Sequence, residues 1–127
     1  MLKLIIEADC GNSPEKVFLK EFNIAFAKGD SSFIIDNVSE DITWNFIGNM
    51  LIQGKDELAK AFEDMKNDII EEFTINSIIA DGTEGAVNGL LKMEDGRIIA
   101  FCDIYKFCSA KGSCIKSITS YVIEIKE

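Results

Sequence analysis

A chain of 127 residues, 47% hydrophobic and 28% charged, is long enough to bury a real core and too apolar to stay disordered, so residues 1–127 are read as one domain. Its net charge of −9 opposes nucleic acid and anionic membrane surfaces, because repulsion replaces the counterion release that drives such binding. No apolar run approaches the roughly 18 residues of a membrane span, and the opening MLKLIIEADCG has too short an apolar part and an acidic flank for a secretory signal, so a cytoplasmic location is expected.

Residues 2–8 alternate Leu2, Leu4, Ile6 and Ala8 against Lys3, Ile5 and Glu7, the pattern of a short strand or extended arm before the turn-like CGNSP. Ser13 followed by Pro14 is a helix start, a capping hydroxyl and then a residue whose missing N–H costs nothing in the first turn. Phe18, Phe22, Ala25 and Phe26 recur at spacings of three and four, giving that helix an aromatic face, and Gly29 ends it. A short second helix is predicted from Asp30 or Ser31 through Ile35. The stretch EDITWNFIGNMLIQG reads as a hairpin with Ile42, Trp44 and Phe46 on one face, Thr43, Asn45 and Ile47 on the other, and Gly48 and Asn49 in the turn.

A third helix follows from Lys55 to about Asn67, with Leu58, Ala61, Phe62 and Met65 as its buried stripe. Beyond it the period changes to two. Asp81-Gly82, Asp95-Gly96 and Lys111-Gly112 divide the remainder into four β segments, being dipeptides that supply the positive φ of hairpin turns. Helices first and an antiparallel meander second make an α+β protein with helices on one face of a curved sheet.

The absence of histidine removes Ser-His-Asp and Cys-His mechanisms and the commonest transition-metal ligand together. The acidic stretches EDMKND and IIEEF lack the ligand spacing of a calcium loop and read as solvated faces, so no metal site is expected. Four cysteines form no C-x-x-C pair, and in a cytosolic chain the expectation is four reduced thiols. Cys108 and Cys114 nevertheless flank a turn symmetrically, which would face them across a hairpin.

The succession of helix, KGD, short helix, EDITW…G…IQGKDEL, helix and a meander containing GRIIAFCDIYKF…GSCIKSITSYVI resembles the nuclear transport factor 2-like (NTF2-like) superfamily, and within it the SnoaL-like and ketosteroid isomerase-like proteins. The resemblance implies a cone-shaped fold, about three N-terminal helices packed on a strongly curved, mainly antiparallel sheet, with a deep apolar pocket at the open end and homodimeric assembly. On the D-x-x-x-F strand, Asp103 falls where ketosteroid isomerases place an oxyanion-hole aspartic acid, and where SnoaL-type cyclases have an aspartate proposed as base. The isomerase tyrosine position holds Phe22, eight residues before Asp30, and its general-base position holds Asn45, nine before Gly54. Neither can do the isomerase's task. A slip of one residue would put Trp44 or Phe46 at the second position.

The residues around Asp103 give a separate reading. On an ideal strand it shares a face with Ile99, Phe101, Tyr105 and Phe107. If that face is the inner one, the carboxylate is desolvated among aromatic rings and its pKa rises unless the Tyr105 hydroxyl or the Asn45 amide stabilises the anion; if it is the outer one, Asp103 is solvated or lies in a dimer interface. Trp44 belongs either to the pocket mouth or to the core, and Tyr121 either donates into the cavity or packs between copies. Lys116, Ile118, Ser120 and Val122 form one side of the last strand, more apolar than a wet face needs, and are read as the outward, dimer-forming face. The expected function is binding of a small apolar molecule by Phe22, Trp44, Asn45, Phe101, Tyr105 and Tyr121 without a cofactor. The alternative is a cofactor-free isomerase, cyclase or dehydratase with Asp103 as its acid or base.

Overall fold

In the computed structural model, which describes residues 2–109 and 113–126, the chain begins with β1 (Lys3–Ile6), and its inward residues Leu2, Leu4, Ile6 and Ala8 pack on the core as their alternation predicts. α1 (Pro14–Lys28) starts where Ser13 accepts a hydrogen bond from the Lys16 N–H at 3.2 Å and stops at Gly29, whose φ of 74° is open to glycine at little cost. The next residue immediately restarts a helix: Asp30 accepts from the Phe33 N–H at 3.2 Å and caps α2 (Ser31–Asp36). This is the physical content of the KGD signature.

β2 (Val38–Phe46) and β3 (Met50–Gln53) form the expected hairpin, and α3 (Gly54–Met65) follows directly. There the Glu57 carboxylate reaches back to accept from the Gln53 N–H at 2.9 Å, satisfying one orphan donor of the first turn. β4 (Ile70–Asp81), β5 (Glu84–Met93), β6 (Ile98–Phe107) and β7 (Ile115–Ile125) complete the chain. The turn expected at Lys111-Gly112 lies outside the described residues.

The strands make one curved, unclosed, mixed sheet in the order β1-β4-β5-β6-β7-β2-β3, parallel at β1–β4 and β2–β7 and antiparallel elsewhere. The helices fill its concave side. Aromatic contacts tie the layers together: Phe18 of α1 meets Phe107 of β6 at 6.4 Å between ring centroids, Phe26 meets Trp44 of β2 at 5.9 Å, and Phe26 meets Phe62 of α3 at 6.1 Å. Leu19, Ile34, Ile42, Leu58, Ile75 and Ile115 are fully buried around them.

Two expectations are corrected. The Lys116, Ile118, Ser120 and Val122 side of β7 does not face outward, since Ile118 and Ser120 are each 1% exposed. The reason is a β-bulge. Phe107 pairs with Ile115 but Lys106 pairs with Ser117, so Lys116 is an extra residue, and beyond it every β7 side chain lies on the opposite face from where the hairpin register at Cys108 and Cys114 would put it. Apolar residues that do face outward include Ile79, Ile104, Tyr121 and Ile123. The second correction concerns the thiols: Cys108 and Cys114 are joined as a disulfide, their Cα atoms 5.4 Å apart, while Cys10 and Cys102 are free and half-buried.

Gly89, opposite Ile75 on β4 and Phe101 on β6, is where the neighbouring backbone leaves no room for a side chain. A Cβ there would collide with the Thr74 carbonyl and press on the Phe101 ring, whereas at Gly85 the nearest atom is the movable end of Leu19. Gly89→Ala is therefore expected to cost more than about 2 kcal/mol in urea unfolding, and clearly more than Gly85→Ala; equal losses would show that the β4–β5 contact is looser than described.

Candidate functional site

β6 carries the center of the site. Asp103, Tyr105, Phe101 and Phe107 alternate onto the concave face, and all four are buried, Asp103 to 8% exposure. The bulge at Lys116 brings Ser120 of β7 directly opposite Asp103. Parallel pairing of β2 with β7 sets Trp44 beside Ile118, close enough for its indole to reach the same serine.

Two hydrogen-bonded relays converge on the carboxylate. In one, the Asn23 amide of α1 donates to the Tyr105 hydroxyl at 3.0 Å, and the Tyr105 O–H donates to Asp103 Oδ2 at 3.3 Å. In the other, Trp44 Nε1–H donates to Ser120 Oγ at 2.8 Å, and the Ser120 hydroxyl bonds to Asp103 in turn. Asn23 is itself held by donating to the Leu19 carbonyl at 2.8 Å. Each hydroxyl accepts from one side and so has its proton free for the carboxylate.

Burial pushes the Asp103 pKa up from its ordinary 3.8 to about 6, with the Ser120 and Tyr105 hydrogen bonds acting against the rise. Burial, reinforced by the Asp103 charge, holds the Tyr105 phenol well above its usual range, so it stays a neutral donor. On the outer side of the strand, burial and then Asp103 raise the Cys102 thiol. No ion pair among the described residues includes Asp103, and no cluster of carboxylates and thiols among them is arranged to hold a metal.

These groups surround a cavity of about 70 Å³. Phe22, Phe26, Trp44 and Phe46 line it from α1 and β2, and Phe73, Phe101 and Tyr105 from the sheet, with Leu91 and Val122 closing the sides. Phe26 and Leu91 also border a wide open groove of about 1130 Å³ between the helix ends and β4 to β6, where Phe62, Ile70 and Ile99 are exposed to it. Both residues thus line the groove and the inner chamber alike.

Of the residues singled out in the sequence, Asp103, Phe22, Trp44, Phe101 and Tyr105 meet at this cavity. Asn45 and Tyr121 do not. Asn45 is on the exposed side of β2 because Trp44 and Phe46, its neighbours, point inward; Tyr121 is 51% exposed because Ser120 takes the inward position. Asn23 was not singled out in the sequence, and Ser120 was placed on the outward face of β7 rather than in the site. Asn23 stands four residues after Leu19 on the buried stripe of α1, which is a readable signal, whereas Ser120 depends on a bulge that leaves none.

Three helices cupped by a curved, unclosed sheet, with a lone carboxylate on the concave face, define an NTF2-like protein. The SnoaL-like domain model matches residues 19–114, and the chain belongs to that family. Among solved structures it is similar to an NTF2-like protein of unknown function from Cytophaga hutchinsonii, with 25% identity, a TM-score of 0.68, and 86% of this chain and 99% of that one covered. It is also similar to an NTF2-like protein of unknown function from Burkholderia xenovorans (18% identity, TM-score 0.75, 94% and 90% covered) and to an LEH-like epoxide hydrolase of M. tuberculosis (17%, 0.71, 86% and 82%). No curated protein matches the chain in sequence. No helix among the described residues is long and apolar enough to cross a membrane.

A folded-state pKa raised to about 6 makes a stability prediction with a definite sign. The stability that protonated Asp103 contributes is fully present below its unfolded pKa and is lost as pH rises through about 6. Between pH 7 and pH 4 the wild type should therefore gain about 2–3 kcal/mol relative to Asp103→Asn, read as the difference between urea unfolding curves so that the other carboxylates cancel. A flat difference would mean that water reaches the carboxylate.

Proposed function

We propose that the inner chamber binds a small, largely apolar molecule and directs its one polar group at Asp103. The observation that supports this is an open aromatic chamber with a single buried carboxylate on its wall. At about 70 Å³ the chamber is half the size of the roughly 150 Å³ cavity that holds benzene. It accommodates a compact ligand or the compact end of a longer one.

A second reading rests on the burial of Asp103 on the chamber wall, which pushes its pKa up to about 6. A base poised near neutral pH suits proton transfer, and Asp103 would then take a proton from the bound molecule and return it to another of its atoms without a cofactor. The similar epoxide hydrolase shows the fold alone and does not choose between the readings. Solvent deuterium entering a turned-over compound, and lost in Asp103→Asn, distinguishes catalysis from binding.

Assembly is part of the same proposal. The outward row Ile79, Ile104, Tyr121 and Ile123 suits isologous pairing of two copies. Ile123→Glu, 70% exposed in one chain, is expected to turn a dimer into a monomer in sedimentation at micromolar concentration. A wild type already monomeric there removes the pairing.

The chamber itself is tested by filling it. Val122 lines it and is 42% exposed, so Val122→Phe enters the chamber without displacing buried core. Screened by protein-observed NMR, small apolar fragments should shift the Trp44 indole signal of the wild type and bind Val122→Phe at least about tenfold more weakly, a loss of about 1.4 kcal/mol. Fragments that never perturb Trp44, or that bind both proteins alike, sink the proposal.

A further inference from the structure

We infer that the chamber is built for a small organic cation, an alkylammonium group with a compact apolar substituent, seated between the Asp103 carboxylate and the aromatic wall. This rests on the chamber being a binding site and names the class of its ligand.

The argument begins from charge. Asp103 is buried, and the groups that meet it are two neutral hydroxyls, each already engaged as an acceptor by Trp44 or Asn23. Hydroxyl donors offset part of the desolvation of an anion and leave its charge unneutralised. No lysine or arginine is among the residues lining the chamber, and the chain contains no histidine. The positive partner that a buried carboxylate ordinarily has is missing among the described residues. A ligand can bring it.

The wall agrees with the charge. Phe22, Phe26, Trp44 and Phe46 face the chamber from one side, and Phe73, Phe101 and Tyr105 from the other. Aromatic faces carry negative quadrupole density and attract a desolvated ammonium, with tryptophan the strongest of them. Pairs of these rings are held in fixed stacks, Trp44 with Phe46 at 5.1 Å and Phe73 with Phe101 at 5.5 Å between centroids, so the wall is preorganised.

Other ligand charges fit worse. An anion would meet an unpaired carboxylate inside a chain of net charge −9. A neutral alcohol can donate to Asp103 but leaves its charge uncompensated. The −9 charge also raises the local concentration of cations over the whole surface. The volume limits the buried part to a few heavy atoms.

Three isosteric probes separate the outcomes: isobutylammonium, isobutanol and isobutyrate, which share one carbon skeleton and differ in charge. The chain's one tryptophan is Trp44, so intrinsic fluorescence reports this chamber directly, with calorimetry as the second readout. At about pH 7.5, with the carboxylate ionised and the amine protonated, isobutylammonium is expected to bind at least about tenfold tighter than isobutanol, and isobutyrate not to bind. In Asp103→Asn, checked for folding by its cooperative unfolding, amine and alcohol should bind within about twofold of each other. Isobutanol binding as tightly as the amine in the wild type overturns the cation while leaving a ligand-binding chamber in place. A preference for the amine that survives in Asp103→Asn also overturns it. None of the three binding overturns both.

Discussion

The constraint on which this structure turns is a carboxylate buried without a counter-cation. Asp103 lies on the concave face of β6, and what makes its burial tolerable is a pair of hydroxyls that each receive one hydrogen bond and pass one on. The two relays begin on different elements, Asn23 on α1 and Trp44 on β2, and end on the same side chain. They bind one helix and three strands to a common point. Loss of an outer donor does not merely remove one contact, because it frees the intervening hydroxyl to turn its proton elsewhere and leaves the anion less satisfied. Such a network is stiff only when complete, which gives the aromatic residues around it a fixed frame to pack on.

A single extra residue decides whether that network exists. The disulfide between Cys108 and Cys114 and the pairing of Phe107 with Ile115 set one register at the closed end of the β6–β7 hairpin. Continued unchanged, that register would set Thr119 opposite Asp103 and turn Ser120 to the outside. The bulge at Lys116 adds one residue on β7, puts Ser120 opposite Asp103, and sends the lysine outward where its charge is solvated. The same shift leaves Tyr121 and Ile123 on the convex face. One local irregularity thus supplies the second hydroxyl of the site and the apolar row outside it.

The fold was legible in this sequence because its signals are local. Ser13-Pro14, Gly29-Asp30, the turn glycines and the change from a period near 3.6 to a period of two each have a mechanism within a few residues, and together they place all three helices and the strands along the chain, though not the parallel neighbours β1–β4 and β2–β7. That Phe101, Asp103, Tyr105 and Phe107 share one face of β6 was legible as well, since they alternate without interruption, but alternation alone does not say which face of the sheet that is. What could not be read depends on register between distant segments. Ser120 was assigned to the wrong face because nothing in SCIKSITSYV marks the bulge, and Asn45 was assigned a role because a count along the chain does not report pleat direction. Asn23 differs, since its position four residues from Leu19 on α1 puts it on the buried face by helical spacing alone.

The arrangement also limits what chemistry the chamber can support. Tyr105 is held as a neutral donor by burial and by the Asp103 charge, so Asp103 is the one group on the wall whose protonation changes near neutral pH. A proton that it accepts has no second residue to go to. It must return to the ligand from the same carboxyl oxygen pair, and so to an atom on the same side of the molecule and within a few ångströms of the first. Activation of a water for hydrolysis would require room for that water beside the ligand, and about 70 Å³ leaves little once a compact ligand is seated. Binding alone asks for neither a second acid nor a water. Under the proposed function, a chamber with one carboxylate and seven aromatic side chains would place its specificity in the charge and bulk of what enters, and would restrict any reaction to a proton lifted and replaced on one face.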